Sequence, residues 1–218
     1  MVFRLFFAFC LLFLSEVKSE TAYELNLPYS FYFGNSNLQT IGIGVRGIYF
    51  VDDWSGLIGG MSLNLPTTVT GTIEFSATNG YIEPGSLIKV VKSRLSSYQF
   101  SLGFRRYFIG DYLSTSRRKF ALSAVTEVGL LFGSYVSEVP EYDAENYESR
   151  ITEDNKGSFI NYIASAGLEG DYAFAKFHLF SELRIGASID QANRKLVDVE
   201  LPTFISVNFG IRLPIGQY

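Results

Sequence analysis

Read in steps of two, the chain alternates between apolar and polar or small residues over most of its length beyond residue 20, the signature of strands with two different faces. From Gln39 to Val51 one face carries Ile41, Ile43, Val45, Tyr49 and Val51, and the other Thr40, Gly42, Gly44 and Arg46. From Tyr98 to Phe108, Tyr98, Phe100, Leu102 and Phe104 oppose Gln99, Ser101, Gly103 and Arg105. Between Phe120 and Val136 the sets are Phe120, Leu122, Val128, Leu130 and Phe132 against Ser123, Glu127, Gly129 and Gly133. Between Ile160 and Phe174 they are Ile160, Tyr162, Ala164, Ala166, Leu168 and Tyr172 against Asn161, Ser165, Gly167, Glu169 and Asp171. Phe177–Ile189 sets Leu179, Leu183, Ile185 and Ile189 against His178, Glu182, Arg184, Gly186 and Ser188. Thr203–Leu213 sets Ile205, Val207, Phe209, Ile211 and Leu213 against Ser206, Asn208, Gly210 and Arg212. Two weaker segments complete a set of about eight strands. One is Tyr23–Phe33, where Pro28 lacks a donor and predicts a bulge. The other is Leu57–Leu65.

The connections alternate in length. Asp52–Ser55 and Ala175-Lys176 are short, whereas Glu138 to Gly157 is long and acidic. Leu57–Thr78 and Ser86–Phe108 are near-equal arms around Asn79–Gly85, which predicts one tall hairpin. Ile109 to Arg118 is longer than a tight turn. Short turns at one end and long loops at the other are the habit of a barrel that crosses an outer membrane.

Composition narrows the class. Among 218 residues, 18% are charged, below the roughly 25% of soluble domains, and 16% are aromatic. A net charge of −4 offers no basic footprint for nucleic acid. At the N-terminus, Arg4 precedes the apolar run Leu5–Leu14, and Val17 and Ser19 occupy the −3 and −1 positions of a small-residue cleavage site. Residues 1–19 therefore read as a signal peptide and residues 20–218 as a single barrel domain. The apolar run is about half of what a spanning helix needs. The only cysteine, Cys10, lies within it, so the exported chain has no disulfide.

Alternation also occurs in soluble sandwiches, and the aromatic residues distinguish the two. Phe159 and Tyr162 mark one end of a strand, and Tyr172 and Phe174 the other. Ten residues at about 3.3 Å, tilted near 45°, rise roughly 23–25 Å, the height of a barrel's apolar band. Tyr98 and Tyr107 repeat the spacing, and Tyr49 and Trp54 stand at a short-turn end. Together these eight aromatics are expected to form interfacial girdles. With KFHLFSELRIGAS and TFISVNFGIRLPI as penultimate and final strands, the whole exported chain resembles the small outer-membrane barrels typified by the transmembrane domain of outer membrane protein A. That resemblance implies an all-β, closed, antiparallel up-and-down transmembrane barrel in the cell outer membrane. It also implies a monomer, contacts with outer-membrane lipid and lipopolysaccharide, and delivery by the barrel-assembly machinery. A C-terminal aromatic is read by that machinery in the family. Tyr218 matches, but Gly216, Pro214 and Arg212 are out of phase with the apolar set Leu213, Ile211 and Phe209.

The polar face collects Arg46, Arg105, Arg184 and Arg212 with Glu127, Glu169, Asp171 and Glu182. An eight-stranded barrel is just wide enough for side chains to fill it. Charges buried there must pair, which predicts a salt-bridged plug; a narrow passive pore for small solutes is the alternative. A third possibility is an exported soluble β-domain that binds a small apolar ligand. No catalytic, metal or cofactor set is expected. His178 and Ser181 differ by three positions, so on a strand they point to opposite faces, and a nucleophile needs its base within reach. Val128 is expected to face lipid and Gly129 the lumen, where a serine should be accommodated.

Overall fold

The computed structural model describes residues 21–33, 38–111, 119–138, 141–149, 156–174, 176–190 and 203–215. The expected signal peptide, with Cys10, and the C-terminal Tyr218 lie outside the described residues. Among these residues nine strands run in chain order: β1 (Thr21–Phe33), β2 (Leu38–Asp52), β3 (Ser55–Ala77), β4 (Ser86–Ile109), β5 (Phe120–Glu138), β6 (Tyr147–Ser149), β7 (Lys156–Ala173), β8 (His178–Asp190) and β9 (Thr203–Ile215). Among these residues no helix is long and apolar enough to cross a membrane.

Each sequential hairpin pairs antiparallel, β9 returns to β1, and β2 pairs with β3, so eight strands close into a ring. Closure removes every edge within the barrel wall. The ninth strand, β6, stands outside the ring on the upper edge of β3, where Phe75 faces Ser149 and Ala77 faces Tyr147. Three residues are too few to register as a period, which is why the long acidic connection reads as a loop in sequence.

The pairing of β1 with β9 is unbroken from Thr21↔Ile215 to Phe33↔Thr203. The bulge expected at Pro28 is absent, because Pro28 keeps register with Asn208 and β1 resumes with β2 at Tyr29↔Ile41 in the register it held at Asn26↔Gly44. The missing donor is absorbed by a gap in the ladder instead of an extra residue. Pro214 likewise pairs with Ala22 in register, beyond the point where β8 has ended at His178↔Arg212. Irregularities fall elsewhere, between Asn64 and Thr67 in β3, between Tyr107 and Ile109 in β4 and between Phe50 and Asp52 in β2. The first contains Pro66 and reverses the facing of β3, so that Val69 and Phe75 turn inward above it.

The outer face is an apolar belt. Leu25, Ile43, Leu63, Leu102, Val128, Leu168, Leu183 and Phe209 are all exposed, one from each ring strand. On β4 the belt is bounded by Arg94 and Arg106. The twelve residue steps from one to the other, at about 3.3 Å each and a 45° tilt, span roughly 28 Å. Tyr49, Trp54, Tyr98, Tyr162, Tyr172 and Phe174 lie exposed along its edges. Two aromatics expected in the girdle do not. Tyr107 is fully buried in the lumen, and Phe159 is half-buried against the inward-facing apolar cluster to which Leu131 and Ile163 belong. Tyr107 is nine residues from Tyr98 and Phe159 three from Tyr162, and an odd spacing changes face.

Gly129 also departs from expectation. A Cβ there would lie 2.2 Å from the carbonyl oxygen of Phe100 on the neighbouring strand, so serine does not fit without moving backbone. The bare Cα lets β4 and β5 approach closely.

Beyond the belt, β3 and β4 continue as the tall hairpin. Its inner face packs Phe75 and Val91 with Leu87, Tyr142 and Tyr147, the last from β6. The connection before β6 is fastened by Asp143, which accepts from the Asn146 amide at 2.7 Å and the Glu145 N–H at 3.1 Å. These donors hold its carboxyl below the usual range.

The closed ladder predicts that refolded protein migrates faster unheated than boiled on SDS gels; identical mobility with a β-rich circular dichroism spectrum would contradict closure. In lipid, Val128→Arg should cost about 2–4 kcal/mol if it lies near the midplane. Gly129→Ser should cost about 1–3 kcal/mol through overpacking. Unfolding midpoints in bilayers measure both, and a neutral Gly129→Ser would show that the two strands can move apart.

Candidate functional site: an ion-paired lumen

The inward positions of seven ring strands converge on one charged layer: Glu24 from β1, Arg46 from β2, Arg105 from β4, Glu127 from β5, Glu169 and Asp171 from β7, Glu182 and Arg184 from β8, and Arg212 from β9. The eighth, β3, contributes room. Gly60 pairs with Arg46, and a Cβ at Gly60 would come within 2.7 Å of the Arg46 Cγ. All nine charged side chains are buried, at 5% exposure or less.

Arg184 and Glu127 form a two-pronged pair, Nη1 to Oε2 at 2.7 Å and Nη2 to Oε1 at 2.9 Å. Arg184 Nη2 also donates to Glu182 Oε1 at 2.6 Å. Arg46 donates to the other Glu182 oxygen from Nη1 and Nη2, at 2.9 and 3.0 Å, and the Asn208 amide adds a third donor at 3.0 Å. Arg105 Nη2 donates to Glu169 Oε2 at 2.6 Å. Its Nη1 lies 2.9 Å from Glu24 Oε1 but is not aligned as a hydrogen bond, so that contact is an ion pair alone.

Arg212 is the most connected cation. Its Nε meets Glu24 Oε1 at 2.8 Å, its Nη1 meets Asp171 Oδ2 and the Tyr107 hydroxyl at 2.7 Å each, and its Nη2 meets Glu169. Phe180 lies under its guanidinium, 5.5 Å from ring centroid to Cζ. Such forked, charge-assisted contacts offset the desolvation of ions removed from water.

All eight charged residues inferred from sequence lie in this layer. Glu24 and Tyr107 are the members that sequence reasoning misses. Glu24 belongs to the alternation Ala22, Glu24, Asn26 of the weakest strand, where the outward residues are the conspicuous ones. It is also central, since Arg46, Arg105 and Arg212 all contact it. With it, five carboxylates face four guanidinium groups. His178 stands beside this set, its Nδ1 3.6 Å from Asp171 Oδ1, which is longer than a hydrogen bond.

The layer is sealed at both ends. Towards the short turns lies an apolar cluster of Ala22, Ile48, Phe50, Ile58, Tyr107, Ala121 and Val125. Towards the loops, hydroxyls and amides come first, with Ser30 donating to Ser206 at 3.0 Å and Asn64 to Ser97 at 2.9 Å. A cavity of about 30 Å³ lies among them, room for one or two waters. The side-chain oxygens of Asn26 and Asn208, which line it, are the unbonded acceptors that waters would satisfy. Above it a second apolar cluster joins Tyr32, Leu38, Val69, Leu95, Leu131, Ile163 and Phe204.

Ser181 is exposed on the outer face of β8 while His178 is buried on the inner one, so the two cannot act as nucleophile and base. Among the described residues no group of three His, Cys, Asp or Glu is placed to hold a metal ion. The carboxylates are interleaved with arginines and already engaged.

Comparison of the sequence with protein-family models and with curated proteins returns no match. Solved structures do match in fold. Neisserial surface protein A superposes with a TM-score of 0.52 at 10% identity, over 92% of this chain and 100% of that one. A major outer membrane protein from Thermus thermophilus gives 0.50 at 10% identity, over 88% of this chain and 98% of the other. The closed ring of eight antiparallel strands, which in this chain is apolar outside and charged within, thus has the fold of these small outer-membrane β-barrels.

Proposed function

We propose that this protein is an integral outer-membrane barrel with a closed lumen, whose role is structural or adhesive and is exercised through the loops and the tall hairpin. The observation that carries this reading is the charged layer. Nine ionisable side chains fill the cross-section, each guanidinium contacts at least two carboxylates, and apolar clusters lie on both sides. An ion crossing the barrel would have to displace these pairs in a space that holds little water. A conducting reading would need a continuous polar path, and the 30 Å³ cavity lies between the charged layer and the upper apolar cluster. A carrier of apolar ligands would need an empty apolar chamber, whereas the inward face is occupied by charge and packed side chains.

The same reading makes the protein non-enzymatic, in keeping with the separation of His178 from Ser181 and with carboxylates already held by arginine. Outer-membrane lipid and lipopolysaccharide are its surroundings, delivery by the barrel-assembly machinery its route, and the monomer its working form. The apolar belt supports this placement, since a surface of that extent and composition belongs in hydrocarbon.

The Arg184–Glu127 fork supplies the test. Glu127→Gln should destabilise by about 3–5 kcal/mol, because it removes the forked partner of Arg184 in a buried site and leaves that guanidinium to Glu182, which Arg46 already shares. It should also raise single-channel conductance in planar bilayers above a near-silent wild type. The double variant Glu127→Gln with Arg184→Gln should recover part of the stability. Large, steady conductance in wild type would establish an open pore. An unchanged midpoint and conductance in Glu127→Gln would mean that this glutamate is solvated and that the plug does not close the lumen.

A further inference from the structure

The tip of the tall hairpin carries a dipeptide that neither the wall nor the plug accounts for. Asn79 and Gly80 are both exposed, and Asn79 is the one asparagine in the chain that precedes a glycine. Its side-chain Oδ1 accepts from the Tyr81 N–H at 3.1 Å, and its carbonyl oxygen accepts from the Ile82 N–H at 3.4 Å, which closes the turn. The N–H of Gly80 between them has no acceptor among the described residues. A Cβ at Gly80 would meet nothing within 4 Å, and its φ lies outside the left-handed region. Neither packing nor backbone conformation therefore requires glycine here. What glycine supplies is an amide nitrogen with no side chain in front of it.

We infer that Asn79 is a site of self-modification, at which the side-chain amide is lost through a cyclic imide. The Gly80 nitrogen gives its proton to a solvent base and attacks Cγ of Asn79, forming a new C–N bond and a succinimide ring. The Cγ–Nδ2 bond breaks, and the side-chain nitrogen leaves as ammonia with the proton that the base returns. Water then opens either carbonyl of the ring, which yields isoaspartate or aspartate. The contact with Tyr81 favours the first step: negative charge develops on Oδ1 as the nitrogen attacks, and a backbone N–H is already aimed at that atom. Holding nucleophile and carbonyl in one tight turn lowers the entropic part of the barrier.

The asparagines of the lumen and of the connection before β6 lack this arrangement. Asn26, Asn64, Asn161 and Asn208 are buried, and each precedes a leucine or an aromatic residue. Asn146 is exposed, but it precedes Tyr147 and its amide donates to Asp143 at 2.7 Å. Glu83 is the only carboxylate between Asn79 and Gly85, so conversion gives the tip a second acid, and isoaspartate also adds an atom to its backbone. Tyr81, 98% exposed, stands on that backbone. The reaction is independent of the role proposed above, whereas its effect on what the hairpin presents to a partner rests on that role.

The test is incubation of the refolded full barrel at mildly alkaline pH, followed by peptide mass spectrometry at intervals. The peptide spanning Asn79 should pass through the loss of ammonia to the mass of the acid, with isoaspartate identified by electron-transfer fragmentation. Conversion should accelerate as pH rises, because the attacking nitrogen must first lose its proton, and should leave Asn26, Asn64 and Asn208 intact. Gly80→Ala should fold, as judged by an unchanged gel-mobility shift, and slow the reaction roughly tenfold or more. The same chain unfolded in guanidinium chloride isolates the contribution of the turn, and the folded tip should convert at least as fast. An Asn79 that keeps its amide in the folded barrel, a folded Gly80→Ala variant as fast as wild type, or a folded tip slower than the unfolded chain would each overturn the proposal.

Discussion

Charged side chains in a narrow lumen have little water to turn to, and the rest of this structure is arranged around that fact. A ring of eight strands leaves an interior that side chains alone can fill. Five carboxylates and four guanidinium groups placed there must satisfy one another across the bore, because an unpaired member would be strongly destabilising. Their contacts run between strands distant in sequence, Glu24 with Arg212 and Arg46 with Glu182 among them. The network therefore constrains the stagger of the whole ring, since a one-residue slip would turn a charge out into the apolar belt.

Much of this is legible in sequence because a strand's period of two is unambiguous wherever its two faces differ in chemistry. The outward sets on β2, β4, β5, β7, β8 and β9 all follow from alternation, as do the tall hairpin and the short turns. The departures have physical sources. Distance along the strand groups Tyr107 and Phe159 with the girdle, but parity decides which face a residue joins. Glu24 escapes notice because β1 is interrupted by Pro28, which makes its inward set less conspicuous than its outward one. Which arginine meets which carboxylate depends on inter-strand stagger, a property of the closed ring that no single segment carries. Gly129 resembles any small lumenal residue in sequence, and only the approach of the Phe100 carbonyl reveals why it has no side chain.

The two ends of the barrel differ in more than loop length. At the turn end, the wall stops soon after the belt, and its surface cation Arg106 is tied to Asp52. At the loop end, β3 and β4 rise past the belt, acquire β6 as an extra strand and enclose an apolar cluster of their own. The bulge containing Pro66 makes this possible. By inverting the facing of β3 it turns Val69 and Phe75 inward above the membrane-facing section, so the hairpin has a core where the barrel no longer supplies one. The upper structure is thus a supported platform instead of a free ribbon.

The contact of Arg212 with Glu24 joins the last strand of the ring to the first, and its consequence concerns how the molecule comes together. In an open sheet, before β9 meets β1, neither residue has the other, and Glu24 keeps only Arg46 of the neighbouring strand while Arg212 keeps only the carboxylates of β7, both at a border facing lipid. The final zippering of the wall and the neutralisation of its interior are consequently a single event. A half-closed sheet is penalised twice, by unpaired backbone and by bare charge, so the seam acts as a latch that holds only when every strand before it is already in place.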